Sequence, residues 1–240
     1  MVGRIAVALL VVGLVIGAGI GYGVSLAVVP STSGTQTIYI GSIEPLSGGD
    51  AIYGQSFYQS VELAAAQMNA NLSAAGSKIQ FKVVSADDAG LPSTADSDLV
   101  SMYGTYGIHV LIGPLTSAEV QGVLQTADTD HIVVLPPAAT ATSLNIPKSP
   151  SNYLARPGQP GDQYEGSALA QTVIKLGAKN VVFLYRDDTS EYGTFNASSA
   201  LMTAAGLSVN GVQFQPDQTD YSATVTTAAS DAQSFLSSGG

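Results

Sequence analysis

The sequence predicts an α/β chain of parallel sheets flanked by helices, carried behind an N-terminal membrane-spanning helix. Three observations lead there. Strand-like and helix-like patterns alternate from residue 37 onward, the strands are near-continuous apolar runs, and a long uncharged stretch occupies the first thirty residues. Crossover helices shield both faces of a parallel sheet, so alternating β and α elements with apolar strands are its signature.

The elements follow in chain order. From Ile5 to Val29 there is no charged side chain; Arg4 precedes the run and the next charge is Glu44. About 20 apolar residues cross a bilayer as a helix, so this run can span with some tilt. A positive flank on the N-terminal side only keeps the N-terminus in the cytoplasm and exports the rest. The alternative is a cleaved secretory signal, but its apolar region is usually about 7–15 residues with a small-residue cleavage site. Here the run is longer, and only Ser25-Leu26-Ala27 offers a substitute for that site. Gly13, Gly17 and Gly21, four apart, are read as ordinary membrane-helix glycines ahead of a helix-pairing face.

Residues 31–36 form a Ser/Thr/Gly linker. Thr37 to Ile43 is β-rich, Gln55 to Ala70 carries apolar residues at helical spacing, and Ile79 to Val84 is a second strand. Pro92 opens a helix over Ser93 to Tyr106, with Asp96 and Asp98 early, where the dipole favours acids. Val110 to Gly113 reads as a strand, Ser117 to Thr129 as a helix and Ile132 to Leu135 as a strand. After a loop over 136–150 the pattern resumes: helix from Gln163 to Leu176, strand from Asn180 to Tyr185, helix from Tyr192 to Ala205, strand from Leu207 to Phe214, helix from Tyr221 to Leu236. The expected division is therefore 1–30 anchor or signal, 31–36 linker, 37–155 first lobe and 156–240 second lobe. Two strands are too few for a stable sheet, so the second lobe is expected to be truncated.

Composition narrows the function. Eight Lys+Arg against eighteen Asp+Glu give a formal charge of −10 with no basic cluster, which argues against nucleic acid and anionic membrane surfaces as partners. The absence of cysteine removes disulfides, thiolate metal sites and a lipid-modified cysteine anchor. Two N-x-S triplets, at Asn71 and Asn196, are compatible with export and no more.

In parallel sheets ligands gather at the carboxyl ends of strands. After the 110–113 strand, Ser117 is an N-cap candidate whose helix start could hold an anion; the plainer alternative is a capping box of Thr116 with Glu119. After the 132–135 strand, Pro136 to Thr142 pairs stiff prolines with small residues, and Thr140 offers a hydroxyl. Tyr53 follows the first strand and Tyr192 follows Asp187-Asp188, placing aromatic rings suited to clamping a small ligand. His109 and His131 sit beside strand starts and are read as structural, and Asp87-Asp88 as loop acids that cap neighbouring helices ahead of a metal pair. No HExxH, GxSxG or P-loop occurs, and the glycines at 17–23 follow no strand, so neither an enzyme nor a cofactor or metal is expected.

Taken together these segments resemble a known family. Ile43-Glu44-Pro45-Leu46-Ser47-Gly48 with Tyr53-Gly54, Ala86-Asp87-Asp88-Ala89, Ile112 to Ser117, Pro137 to Ala141, Arg156 with Asp162, and Tyr192-Gly193 are similar in order and spacing to the type I periplasmic solute-binding proteins that serve branched-chain amino acid (Leu/Ile/Val) ABC importers. The resemblance spans 38–235 and about the first half of that family's length. It implies a two-lobed type I periplasmic-binding-protein fold that closes over a ligand, with 154–159 as hinge. Ser117 and the Thr140 region would hold an α-carboxylate, the Ala138 carbonyl and the Thr140 hydroxyl would face an α-ammonium with Ala139 between them, and Tyr53 and Tyr192 would flank the ligand from opposite lobes. The implied function is extracytoplasmic binding of a branched-chain amino acid or an amide-like solute for ABC permease subunits, with no cofactor. The alternative is the ligand-binding ectodomain of a membrane sensor. A hydrolase would need a nucleophile–base pair, and none is evident.

Overall fold

The computed structural model describes residues 34–145, 153–157, 160–216 and 218–237. The expected anchor lies outside these; among the described residues no helix is long and apolar enough to cross a membrane. The chain alternates strands and helices: β1 (Gln36–Glu44), α1 (Ala51–Ala74), β2 (Ile79–Asp87), α2 (Pro92–Tyr106), β3 (Val110–Ile112), α3 (Ser117–Asp130) and β4 (Val133–Leu135) make the first lobe. A 3₁₀ turn (Thr142–Leu144) follows, then α4 (Asp162–Lys175), β5 (Asn180–Arg186), α5 (Thr189–Ala204), β6 (Ser208–Phe214) and α6 (Ser222–Ser237).

All strand pairs are parallel. The first sheet has the order β2-β1-β3-β4, and Leu154 extends it by one bridge to Val134. β5 and β6 form the second sheet, in register from Asn180 opposite Ser208 to Arg186 opposite Phe214. In the first sheet the chain goes from β1 outward to β2, then returns to the other side of β1 as β3. The loops after β1 and β3 therefore diverge, which opens a crevice at their carboxyl ends.

Burial explains why the first lobe reads so clearly. Ile43, Leu99, Ile108, Leu111, Val120, Val123 and Val134 are fully buried in one cluster that joins β1, β3, β4, α2 and α3. At roughly 1.5–3 kcal/mol per buried side chain, this cluster dominates the lobe's cohesion. The second lobe packs around Ala170, Met202 and Leu207, and no residue of α6 is fully buried.

Local signals end α2 where expected, whereas α1 runs to Ala74, four residues past the expected Ala70. Pro92 occupies the first turn of α2, and Gly107 closes it in the left-handed region at φ 65°. Two helix starts differ from the sequence expectation by three residues or more. α1 begins at Ala51 rather than Gln55, because its first turn exposes Ile52 and Tyr53 and so gives no core-facing period. α5 begins at Thr189 rather than Tyr192, its polar first turn capped by Asp188, which accepts from the Glu191 N–H at 2.8 Å.

A cleft at the strand ends

The cleft is built from the loops and helix starts that follow β1, β2, β3, β4, β5 and β6. It encloses about 1320 Å³ and has two walls. Asp50, Tyr53, Phe57, Thr116, Ser117 and Ala138 line the first-lobe wall. Tyr185, Arg186, Asp188, Ser190, Glu191 and Tyr192 line the second. Tyr53 and Tyr192 are largely exposed and stand on opposite walls; Tyr192 lies 6.3 Å from Tyr185, centroid to centroid.

The start of α3 decides between the two readings of that segment in favour of the capping box. Thr116, not Ser117, is the N-cap: its hydroxyl accepts from the Glu119 N–H, and the Glu119 carboxylate accepts from the Thr116 N–H at 2.7 Å, a complete capping box. Ser117 is thereby released for a longer reach. Its Oγ accepts from the backbone N–H of both Thr140 and Ala141, each at 3.0 Å, while only 2 % of the residue is exposed. With both acceptor sites taken, its remaining capacity is one donated proton.

The loop after β4 is held from three sides. Besides Ser117, the Asp162 N–H donates to the Thr140 carbonyl at 3.0 Å. Arg156 donates to the carbonyls of Ala139 and Ala141, each at 3.3 Å, and to Asn145 Oδ1. Ala138 lines the cleft, whereas Ala139 is 1 % exposed, with its side chain in the first-lobe core and its carbonyl on Arg156. Burial lowers the Arg156 pKa, opposed by nearby Asp162. The Thr140 hydroxyl lies 2.6 Å from that of Ser190, a bond between the lobes.

A second link crosses the cleft higher up. Arg186, at the end of β5, pairs with Asp188 on its own lobe, and its Nη1 stands 3.9 Å from Asp50 Oδ1 on the other. Burial disfavours the guanidinium charge, but Asp188, Asp50 and Glu191 outweigh it and raise its pKa.

Behind the crevice lie three carboxyls that nothing in the sequence brings together. Glu44, Asp88 and Glu119 are each at most 1 % exposed. Neither Glu44 oxygen has a hydrogen-bond partner among the described residues. Burial, reinforced by Asp88 and Glu119, pushes Glu44 up to about 9; burial also drives Asp88 to about 7. Asp87 does not cap a helix: its Oδ1 accepts from the N–H groups of Leu46, Ser47 and Ala89, binding the loops after β1 and β2 together. Among the described residues no cluster of three or more acidic or histidine side chains is placed to hold a metal ion. His109 meets the His131 carbonyl at 3.3 Å, and His131 closes α3 in the left-handed region, which are packing roles.

The sequence reading missed Asp50, Phe57, Arg186 and Ser190 as lining residues. Asp50, Arg186 and Ser190 lie in or beside strand-end segments already singled out, so position was the available signal, whereas Phe57 lies within α1 and read as part of its apolar face.

A crevice at a parallel-sheet switch point, faced by a second α/β unit, is the place where such sheets gather ligands. The family model described as periplasmic binding protein matches residues 37–239, and the chain belongs to that family. The Leu/Ile/Val-binding protein BraC3 of Rhizobium johnstonii is 28 % identical over 205 residues, covering 85 % of this chain and 54 % of the relative. An uncharacterized protein of Methanocaldococcus jannaschii is 26 % identical over 82 % of this chain and 48 % of its own. The Streptococcus pneumoniae branched-chain amino acid substrate-binding protein LivJ, solved with isoleucine, superposes with a TM-score of 0.64 at 25 % identity, covering 80 % of this chain and 53 % of that one. The chain spans about half the length of the curated relatives it matches.

Proposed function

We propose that this chain is the ligand-binding front of an extracytoplasmic substrate-binding protein that delivers a branched-chain amino acid or similar small solute to an ABC permease. The observation that carries this reading is the pairing of the clamped Thr140 loop with a facing wall that presents Tyr192 and Ser190. Ser117, through its one remaining proton, and the Thr140 region hold the α-carboxylate, the Ala138 carbonyl and the Thr140 hydroxyl receive the α-ammonium, and Ala139 keeps the loop seated in the core. Tyr53 and Tyr192 cover the ligand from either side. The ligand stabilises the closed lobes because only the closed state lets it touch both walls, and the crossing at 154–159 is the hinge. Residues 5–29 tether the protein to the membrane next to its permease. BraC3 and LivJ, by their names and the isoleucine in the latter, support the ligand class.

Calorimetry of the whole exported protein against an amino-acid panel tests this. Binding of a branched-chain amino acid, lost in Thr140→Val with the fold intact, is expected. Binding of an amide or aromatic acid in its place would overturn the ligand assignment, and unchanged affinity in Thr140→Val would remove that residue from the site.

A further inference from the structure

Asp162 is the first residue of α4 and is fully buried, yet it faces the cleft's polar seam through another side chain. Ser190 Oγ lies 3.0 Å from Asp162 Oδ1 and 2.6 Å from Thr140 Oγ1, so Asp162, Ser190 and Thr140 form one chain of hydrogen bonds from the second lobe to the first. A carboxylate has only acceptors, and each hydroxyl has one proton. The Ser190 proton therefore goes to Asp162, and the Thr140 proton goes to the Ser190 oxygen or to the same carboxylate, whose charge both hydroxyls favour. Thr140 then has no proton left for the cleft.

We propose that Asp162, acting through Ser190, fixes the Thr140 hydroxyl as an acceptor toward the cleft, making this pair the positioning residues that select a ligand with an N–H donor there. The proposal rests on the reading of Thr140 as a ligand contact and adds what sets its polarity. Asp162 is suited to the task. It lies at the positive end of the α4 dipole and near Arg156, both of which favour its charge, and its backbone N–H is bonded to the Thr140 carbonyl, so the two residues move together. Burial raises its pKa, countered by the hydroxyls of Thr140 and Ser190 and by Arg156. Its second oxygen packs against Gly193, where a Cβ would collide with it; this is a physical reason for glycine after Tyr192.

The test compares leucine with its des-amino analogue 4-methylpentanoate on the whole exported protein, by calorimetry and displacement. In Asp162→Asn the amide donates to Ser190, Ser190 donates to Thr140, and the Thr140 proton turns into the cleft. Leucine affinity is expected to fall at least about tenfold while that of 4-methylpentanoate holds or rises, so their ratio collapses. Ser190→Ala frees the Thr140 proton without charge change and should lower the same ratio several-fold; it carries the test if Asp162→Asn does not fold. A merely structural role would weaken both ligands by the same factor. Equal losses, or an unchanged ratio, would overturn the proposal while leaving the function intact. A wild-type protein that binds no amino acid would overturn both.

Discussion

Replacing Glu44 with glutamine should remove a large part of the pH dependence of stability. Glu44 is 1 % exposed, has no hydrogen-bond partner for either oxygen among the described residues, and is pushed up to about 9. In the unfolded chain its pKa returns to the ordinary carboxylate value, about 4.3. Between these values the folded state holds a proton that the unfolded state has released, so stability is full below the lower value and falls as pH rises toward 9. At about 1.4 kcal/mol per pH unit, the loss between pH 5.5 and 8 is about 3 kcal/mol from this group alone. In Glu44→Gln the new amide keeps the shape of the protonated acid but has no proton to release as pH rises beside Asp88 and Glu119. Urea titrations followed by far-ultraviolet circular dichroism at pH 5.5, 6.5, 7.5 and 8.5 measure this; the chain has no tryptophan to report by fluorescence. The variant should match the wild type near pH 4.5 and exceed it increasingly above. Parallel stability curves for the two proteins would refute the reasoning.

Two further substitutions probe the cleft's supports. Ser117→Ala strands the N–H groups of Thr140 and Ala141, so a stability loss of about 2–3 kcal/mol by denaturant titration is expected, with weaker ligand binding; a neutral effect would mean that the loop is held elsewhere. Gly193→Ala would raise stability by up to about 1 kcal/mol on helix propensity alone, but its Cβ meets Asp162 Oδ2, so a net destabilisation is expected. A rise in melting temperature in that variant would contradict the close approach.

The first lobe was largely legible because its strands and helices carry their own burial. Ile43, Leu111 and Val134 lie in apolar runs, and α3 repeats Val120, Val123, Leu124 and Ala127 at helical spacing. What escaped notice depends on contacts between distant parts of the chain. Ser117 looked like a cap because capping is a local pattern; its bonds to Thr140 and Ala141 join the loops after β3 and β4. Glu44, Asp88 and Glu119 belong to three separate segments and become a buried acid cluster only when β1, β2 and α3 converge. Ser190 sits in the polar first turn of α5, and its meaning comes from Asp162, which lies on another helix.

The Thr140 loop has a kinetic consequence. Its N–H, its carbonyl and its hydroxyl are all engaged by the protein itself, by Ser117, Asp162 and Ser190 respectively. Immobilising a flexible side chain on binding typically costs about 0.5–1.5 kcal/mol; the Ser117 bonds order the loop within the first-lobe wall, whereas those to Asp162 and Ser190 come from the second lobe and depend on closure. The slow variable left is the rotation of one lobe against the other. Substitutions inside the wall should therefore shorten residence time with little change in the rate of capture, whereas those at the crossing between lobes should alter both.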